Sequence, residues 1–147
     1  MTEELVRPEG SWVALVTPFD GSGNVDMDCF RKLVDFQSAN GTDGLLFMGS
    51  TGESPSLTLD ERRDIIKEMT AYCRGKIPAF HGVTCSTTAA TLELARLAED
   101  EGADGVMMVV PPYIAPPQSA IYDFFKTVCQ SIRIAVALYN NPARVVV

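Results

Sequence analysis

Hydroxyl, phenol and guanidinium groups recur at the ends of short apolar stretches of this chain. The candidates for chemistry are Thr17, Ser50, Thr51, Tyr113, Tyr139 and Arg144. Two phenols and two aliphatic hydroxyls could relay protons, because each hydroxyl both donates and accepts a hydrogen bond. Arg144 adds a planar fork of donors that suits a carboxylate. These residue types would suit acid–base chemistry on a substrate that carries a carboxylate. The alternative is that Tyr113 only packs, Tyr139 is an ordinary strand-end residue and Arg144 is a solvated surface charge.

The stretch from 45 to 54 is the most informative of these sites. An apolar run, long enough for a buried strand and too short for a helix, leads into Gly49-Ser50-Thr51-Gly52-Glu53. Thr58 and Glu61 then have the spacing of a capping box. The stretch predicts a strand, a tight turn and a helix, with both hydroxyls at the carboxyl end of a strand, where α/β folds bind ligands. A purely structural turn has the same spacing, and that alternative stays open on spacing alone.

Five apolar stretches alternate with four amphipathic segments, and these elements must position the polar side chains. The predicted strands are 12–16, 44–48, 78–83, 105–110 and 134–139. The repeat of roughly 30 residues is the size of a βαβ unit and predicts a parallel α/β sheet. Two architectures fit: a five-stranded doubly wound sheet, or the first part of a (β/α)₈ barrel, which needs roughly 250 residues. The pattern alone favours the doubly wound sheet, because five strands already form one.

Charge and composition exclude several functional classes. The net charge of -7 argues against a nucleic-acid or anionic-membrane surface. No apolar run approaches the ~20 residues of a membrane span, and the acidic first residues do not resemble a signal peptide. The cysteines lack CxxC spacing, so we expect reduced thiols in a cytoplasmic protein. With one histidine and no glycine-rich phosphate loop, we expect neither a metal nor a cofactor.

Four motifs occur in order within residues 10–147. They are Val16-Thr17-Pro18-Phe19, Gly49-Ser50-Thr51-Gly52-Glu53-Ser54, Pro111-Pro112-Tyr113 and Tyr139-Asn140-Asn141-Pro142-Ala143-Arg144. Together they resemble the dihydrodipicolinate synthase / N-acetylneuraminate lyase family. The resemblance implies a TIM barrel, with 1–147 as the N-terminal part of a single (β/α)₈ domain, carrying roughly its first five strands and four helices. It also implies class I aldolase chemistry, in which a lysine forms a Schiff base with pyruvate.

The resemblance implies a role for each site residue. Tyr139 resembles the tyrosine that shuttles protons, and Thr51 resembles the hydroxyl that links it to a second tyrosine. Tyr113 resembles that second tyrosine, which reaches into a neighbouring subunit's site, so a homo-oligomer is implied, a dimer of dimers at full length. Ser50 and the Thr51 amide would hold the carboxylate of pyruvate. Arg144 would bind the carboxylate of the second substrate.

The branches of the family differ in the partner of pyruvate. Ser50 stands where the synthase branch usually has threonine and the lyase branch often has serine, whereas Arg144 is typical of the synthase branch. We therefore expect condensation of pyruvate with an aldehyde such as aspartate semialdehyde. A lyase or dehydratase acting on N-acetylneuraminate or a 2-keto-3-deoxy sugar acid is the alternative.

The Schiff-base lysine of the family lies on strand 6, beyond the five strands predicted here. The lysines of this chain are predicted on or beside helices, not at strand ends; they are Lys32, Lys67, Lys76 and Lys126. We therefore expect an N-terminal fragment or truncated gene product that is inactive as a lone chain. The alternative from another class is a noncatalytic binding or assembly module, a half-barrel that self-associates to bury its open edges.

Overall fold

The computed structural model describes residues 5–111 and 115–142, and in them strands and helices alternate. The strands are β1 (Trp12–Ala14), β2 (Gly44–Phe47), β3 (Ala79–Gly82), β4 (Gly105–Val109) and β5 (Ala135–Tyr139). The helices are α1 (Met27–Ala39), α2 (Leu59–Cys73), α3 (Thr88–Asp100) and α4 (Gln118–Cys129), and a 3₁₀ turn, Ser54–Ser56, lies between β2 and α2. The predicted five strands and four helices are confirmed, with each strand boundary within two residues of its prediction.

All five strands are parallel and follow one another across the sheet in the order β1-β2-β3-β4-β5. In a doubly wound sheet the strand order reverses direction at a switch point, whereas a (β/α)₈ barrel adds each strand beside the preceding one. The preference for a doubly wound sheet, drawn from the pattern alone, is therefore wrong. The sequential order is that of a barrel, as the family resemblance implied.

Capping residues begin the helices α1 and α2, and one apolar side of each helix packs in the core. Asp26 accepts a hydrogen bond from the Cys29 amide at 2.8 Å and begins α1. The capping box of α2 is present, with Thr58 and Glu61 satisfying each other's backbone amides. Each helix then buries one apolar stripe in the core, formed by Phe30, Val34, Ile65, Ile66, Met69, Leu94, Ala98, Phe124 and Val128.

Aromatic rings pack on the face of the sheet opposite the helices, near the amino ends of the strands. The rings of Trp12 and Phe80 meet edge to face, with centroids 4.9 Å apart. Two glycines make room for them: a Cβ on Gly44 would lie 2.3 Å from the indole, and one on Gly105 would lie 2.5 Å from the Phe80 ring. The two rings thus occupy the amino end of this face, where Phe80 also lines a pocket with residues 5–8 and 135–137.

Within residues 5–111 and 115–142, no helix has both the length and the apolar character needed to cross a membrane. All four cysteines are free thiols. Cys73 lies in the core, and burial raises the pKa of its thiol to about 12, so it is protonated at neutral pH.

Candidate active site

A cleft of about 470 Å³ opens at the carboxyl ends of the strands β2 to β5. Its size is ordinary for a pocket that holds a small organic molecule. Met107 and Val109 supply an apolar wall, and its polar lining residues are Ser50, Ser54, Thr84, Tyr139 and Asn141. The sequential strand order places these side chains together, although up to 91 positions separate them in the chain (141 minus 50).

In the turn after β2, two residues other than glycine have a left-handed backbone conformation. Met48 has φ 54° and Glu53 has φ 52°, a conformation that costs most side chains energy. The buried hydroxyl of Thr17, which follows β1, donates to the carbonyl of Gly52 at 2.6 Å. Thr17 therefore fastens the turn to the neighbouring strand rather than facing the cleft.

The described part of the chain brings together two of the predicted site residues. Ser50 and Tyr139 both line the cleft, and the Tyr139 side chain is accessible, with 40% of its surface exposed. Thr51 is exposed on the same turn but is not among the residues that line the cleft. Between Thr51 and Tyr139 the described residues show no hydrogen bond, so the linking role of Thr51 stays a prediction. Tyr113 and Arg144 lie outside the described residues.

Asn141 and Thr84 were not singled out from the sequence, yet both lie in the cleft. The side-chain amide of Asn141 donates to the hydroxyl oxygen of Tyr139 at 3.0 Å. The hydroxyl of Thr84 accepts from the Val109 amide at 2.9 Å and donates to the Val109 carbonyl at 3.1 Å. Thr84 thus holds the end of β4, whose last residue pairs with Tyr139. The available signals were a hydroxyl-rich turn after β3 and an amide two residues beyond Tyr139.

Arg62 supports the cleft from behind the end of β3. Its guanidinium is buried and donates to the carbonyls of Gly82 and Thr84, both at 3.0 Å, and to the Cys85 sulfur at 3.1 Å. Burial lowers the pKa of Arg62 below its usual value and raises the pKa of the Cys85 thiol. These bonds fix the backbone at one rim of the cleft.

Two other polar residues have structural positions. His81 is fully buried, with its ring stacked on Phe47 and its Nε2 within hydrogen-bond distance of the Thr70 hydroxyl. Glu53 is exposed and a 3₁₀ turn separates it from α2, whose amino end is capped by Thr58. Among residues 5–111 and 115–142, no group of His, Cys, Asp and Glu side chains has the arrangement of a metal site.

Replacing Glu53 by glycine should stabilise the chain by about 1 kcal/mol, because glycine adopts a positive φ without the Cβ penalty. Urea unfolding followed by circular dichroism measures the difference in the free energy of unfolding. Glu101→Gly is the matched control, since Glu101 has φ -79° and glycine there should destabilise the chain slightly. Equal effects of both substitutions would show that the turn is not strained at Glu53.

The arrangement agrees with known proteins over nearly the whole chain. The model of the dihydrodipicolinate synthetase family matches residues 7–147. The 4-hydroxy-tetrahydrodipicolinate synthase of Coxiella burnetii is 40% identical over 135 residues, which is 92% of this chain and 47% of that protein. The chain thus spans about half the length of the curated relatives it matches.

Solved structures give the same result for the fold. The dihydrodipicolinate synthase of Aquifex aeolicus matches with a TM-score of 0.89 and 40% identity, over 93% of this chain and 46% of that one. The chloride-inhibited dihydrodipicolinate synthase of Acinetobacter baumannii, solved in complex with pyruvate, matches with a TM-score of 0.86 and 35% identity, over 92% and 46%. The five strands and four helices correspond to about half of these TIM barrels, and the chain belongs to the dihydrodipicolinate synthetase family.

Proposed function

We propose that this chain supplies part of the active site of a pyruvate-dependent carbon–carbon lyase of the 4-hydroxy-tetrahydrodipicolinate synthase type. The whole protein would condense pyruvate with an aldehyde such as aspartate semialdehyde. The observation that carries the proposal is the cleft in which Ser50 and Tyr139 meet at the carboxyl ends of parallel strands. Pyruvate bound to the Acinetobacter baumannii relative supports this choice of first substrate.

The turn after β2 would bind the carboxylate of pyruvate. Ser50 offers a hydroxyl donor on the cleft wall, and the Thr51 amide would add a backbone donor. Hydrogen bonds from neutral donors to a carboxylate are charge-assisted and stronger than those between neutral groups. The carboxylate would thereby be fixed, with the carbonyl carbon of pyruvate directed toward the amine that attacks it.

Tyr139 would move protons at the reacting carbons. Attack of a lysine amine on the pyruvate carbonyl gives a carbinolamine, and a proton delivered to its hydroxyl lets water leave and the iminium form. Loss of a C3 proton then gives the enamine, whose attack on the aldehyde leaves an alkoxide that needs a proton. We place Tyr139 at these transfers, with Thr51 and Tyr113 completing the relay and Arg144 binding the second substrate's carboxylate.

We place the Schiff-base lysine outside these 147 residues. Lys32, Lys67 and Lys126 lie on α1, α2 and α4, away from the cleft lining. Lys76 follows α2, where its ammonium lies 3.5 Å from the centroid of the Tyr72 ring. All four lysines are among the described residues, and none of them lies at the carboxyl end of a strand there. We further propose that the whole protein is a cytoplasmic homo-oligomer, in which Tyr113 enters a neighbouring subunit's site.

Borohydride reduction in the presence of pyruvate tests the proposal. The chain alone should gain no mass, because its lysines lie away from the cleft. A chimera in which residues 7–147 replace the matched half of the Aquifex aeolicus enzyme should be trapped as a covalent pyruvate adduct. In that chimera Tyr139→Phe should still form the adduct, but more slowly, and should lower turnover about 100-fold, a typical loss for a proton-transferring group. Intact-mass measurement and a condensation assay are the readouts.

Each result has a defined meaning. An adduct on the chain alone would contradict the placement of the lysine. A folded chimera that cannot be trapped would contradict the proposed function and favour a noncatalytic module. Cleavage of a 2-keto-3-deoxy sugar acid, without condensation of aspartate semialdehyde, would favour the lyase alternative.

A further inference from the structure

The one hydrogen bond made by the Tyr139 hydroxyl within the described residues comes from Asn141. The distance from Asn141 Nδ2 to the phenol oxygen is 3.0 Å, and both residues line the cleft. Each side of this contact is anchored independently. Tyr139 ends β5 and pairs with Val109. Asn141 precedes Pro142, and a residue before proline is held to extended backbone.

We propose that Asn141 is a positioning residue that turns the hydroxyl hydrogen of Tyr139 away from itself and makes it available to the substrate. This rests on the proposed function of Tyr139 in proton transfer. An amide NH₂ group only donates, so the phenol oxygen must accept in this bond. The hydroxyl hydrogen of a phenol has two preferred orientations, both near the plane of the ring. Because the N–H of Asn141 approaches the oxygen from one of these sides, the hydroxyl hydrogen of Tyr139 takes the other.

Substitutions of different hydrogen-bonding character separate this role from simple packing. Asn141→Leu keeps the approximate volume and removes the donor, so the hydroxyl hydrogen is no longer directed. Asn141→Asp keeps the shape and reverses the bond, because an ionised carboxylate only accepts and would draw the hydroxyl hydrogen toward itself. Asn141→Gln keeps the donor. A residue that merely filled space would not distinguish the aspartate variant from the glutamine variant.

Tyrosine labelled with ¹³C at Cζ reports the hydrogen bond in the chain as it exists, with Tyr139→Phe identifying the Tyr139 signal. In Asn141→Asp that signal should move toward the signal of Tyr72, whose hydroxyl donates to Asp35 at 2.7 Å. In Asn141→Leu it should shift away from its original position, and in Asn141→Gln it should return close to it. The signals of Tyr72 and Tyr122, far from the cleft, are internal controls. A Tyr139 signal that stays unchanged in all three variants would overturn the proposal.

The chimera described above supplies a second readout. Loss of one positioning hydrogen bond should lower kcat about tenfold in Asn141→Leu, and reversal should lower it about 100-fold in Asn141→Asp. The KM for pyruvate should change little, because Ser50 binds the carboxylate. Equal kcat values in all variants would overturn the positioning role. If instead the parent chimera cannot be trapped with pyruvate, while the Tyr139 signal moves as expected, the proposed function fails and the hydrogen-bond assignment stands.

Discussion

Gly82→Ala is expected to destabilise the chain by about 3 kcal/mol and to disorganise the turn that carries Ser50. A Cβ on Gly82 would lie 2.2 Å from the Met48 carbonyl oxygen and 2.9 Å from the Met48 carbonyl carbon. These are backbone atoms, which cannot swing aside as the end of a side chain can. Overpacking of this kind costs up to about 3 kcal/mol, and more where the backbone cannot relax.

The surroundings of Gly82 leave little room for relaxation. Its carbonyl accepts a hydrogen bond from the buried Arg62 guanidinium at 3.0 Å, and β3 lies between β2 and β4. Met48 is itself buried with φ 54°, two residues before Ser50. The clash should therefore push the turn rather than the strand, and Ser50 should move with it.

Urea unfolding gives the stability change, and amide chemical shifts give the displacement of the turn. Gly21→Ala is the matched control, because nothing lies within 4 Å of a Cβ built there and its φ is not positive. That variant should change the free energy of unfolding by less than about 0.5 kcal/mol. If Gly82→Ala proves as stable as Gly21→Ala, β3 does not approach the Met48 carbonyl as closely as described.

Gly82 illustrates what sequence patterns do not contain. The capping box at Thr58 and the apolar stripes of the helices are local, so they predicted the elements correctly. The approach of Gly82 to Met48 joins residues 34 positions apart (82 minus 48). Nothing in the short run around either residue encodes it. The strand order is equally nonlocal, and the pattern alone led to the wrong architecture.

The hydroxyl pair shows a second limit. Ser50 and Thr51 are neighbours in a turn, and which of them faces the cleft depends on the torsions of the residues around them. Met48 and Glu53 adopt positive φ values, although sequence rules assign that region to glycine or asparagine. Motif resemblance predicted the turn as a candidate site, whereas the separate placements of Ser50 and Thr51 required the fold.

The buried imidazole of His81 is expected to make the chain lose stability as the pH falls from about 6.5 toward 3. His81 is fully buried on β3, its Nε2 lies 2.9 Å from the Thr70 hydroxyl, and its Nδ1 has no hydrogen-bond partner within the described residues. An imidazolium has two N–H donors and a charge. Burial therefore lowers the pKa of His81 to about 3.

The direction of the effect follows from where protons bind. The unfolded chain takes up a proton on this imidazole near pH 6.5, while the folded chain keeps it neutral down to about pH 3. The contribution of His81 to the free energy of unfolding is thus fully present above pH 6.5. It declines as the pH falls and is lost below about 3, a total on the order of 5 kcal/mol.

The contribution of His81 is isolated by comparing the urea unfolding of the parent chain with that of His81→Gln between pH 7 and pH 4. Several carboxyl groups also have lowered pKa values, Asp20 and Glu61 among them. They titrate in both proteins and cancel in the difference. The glutamine variant cannot protonate, so its stability should fall less steeply with acid than that of the parent, whatever its stability at neutral pH.

A direct measurement guards against a variant that does not fold. His81 is the only histidine in the sequence, so one pair of imidazole nitrogen signals in a ¹⁵N-labelled sample belongs to it. In the folded chain these signals should stay those of a neutral ring from pH 7 to the onset of acid unfolding. Titration of the folded chain near pH 6.5 would show that the ring is solvated, and the expected acid sensitivity would then have no source at His81.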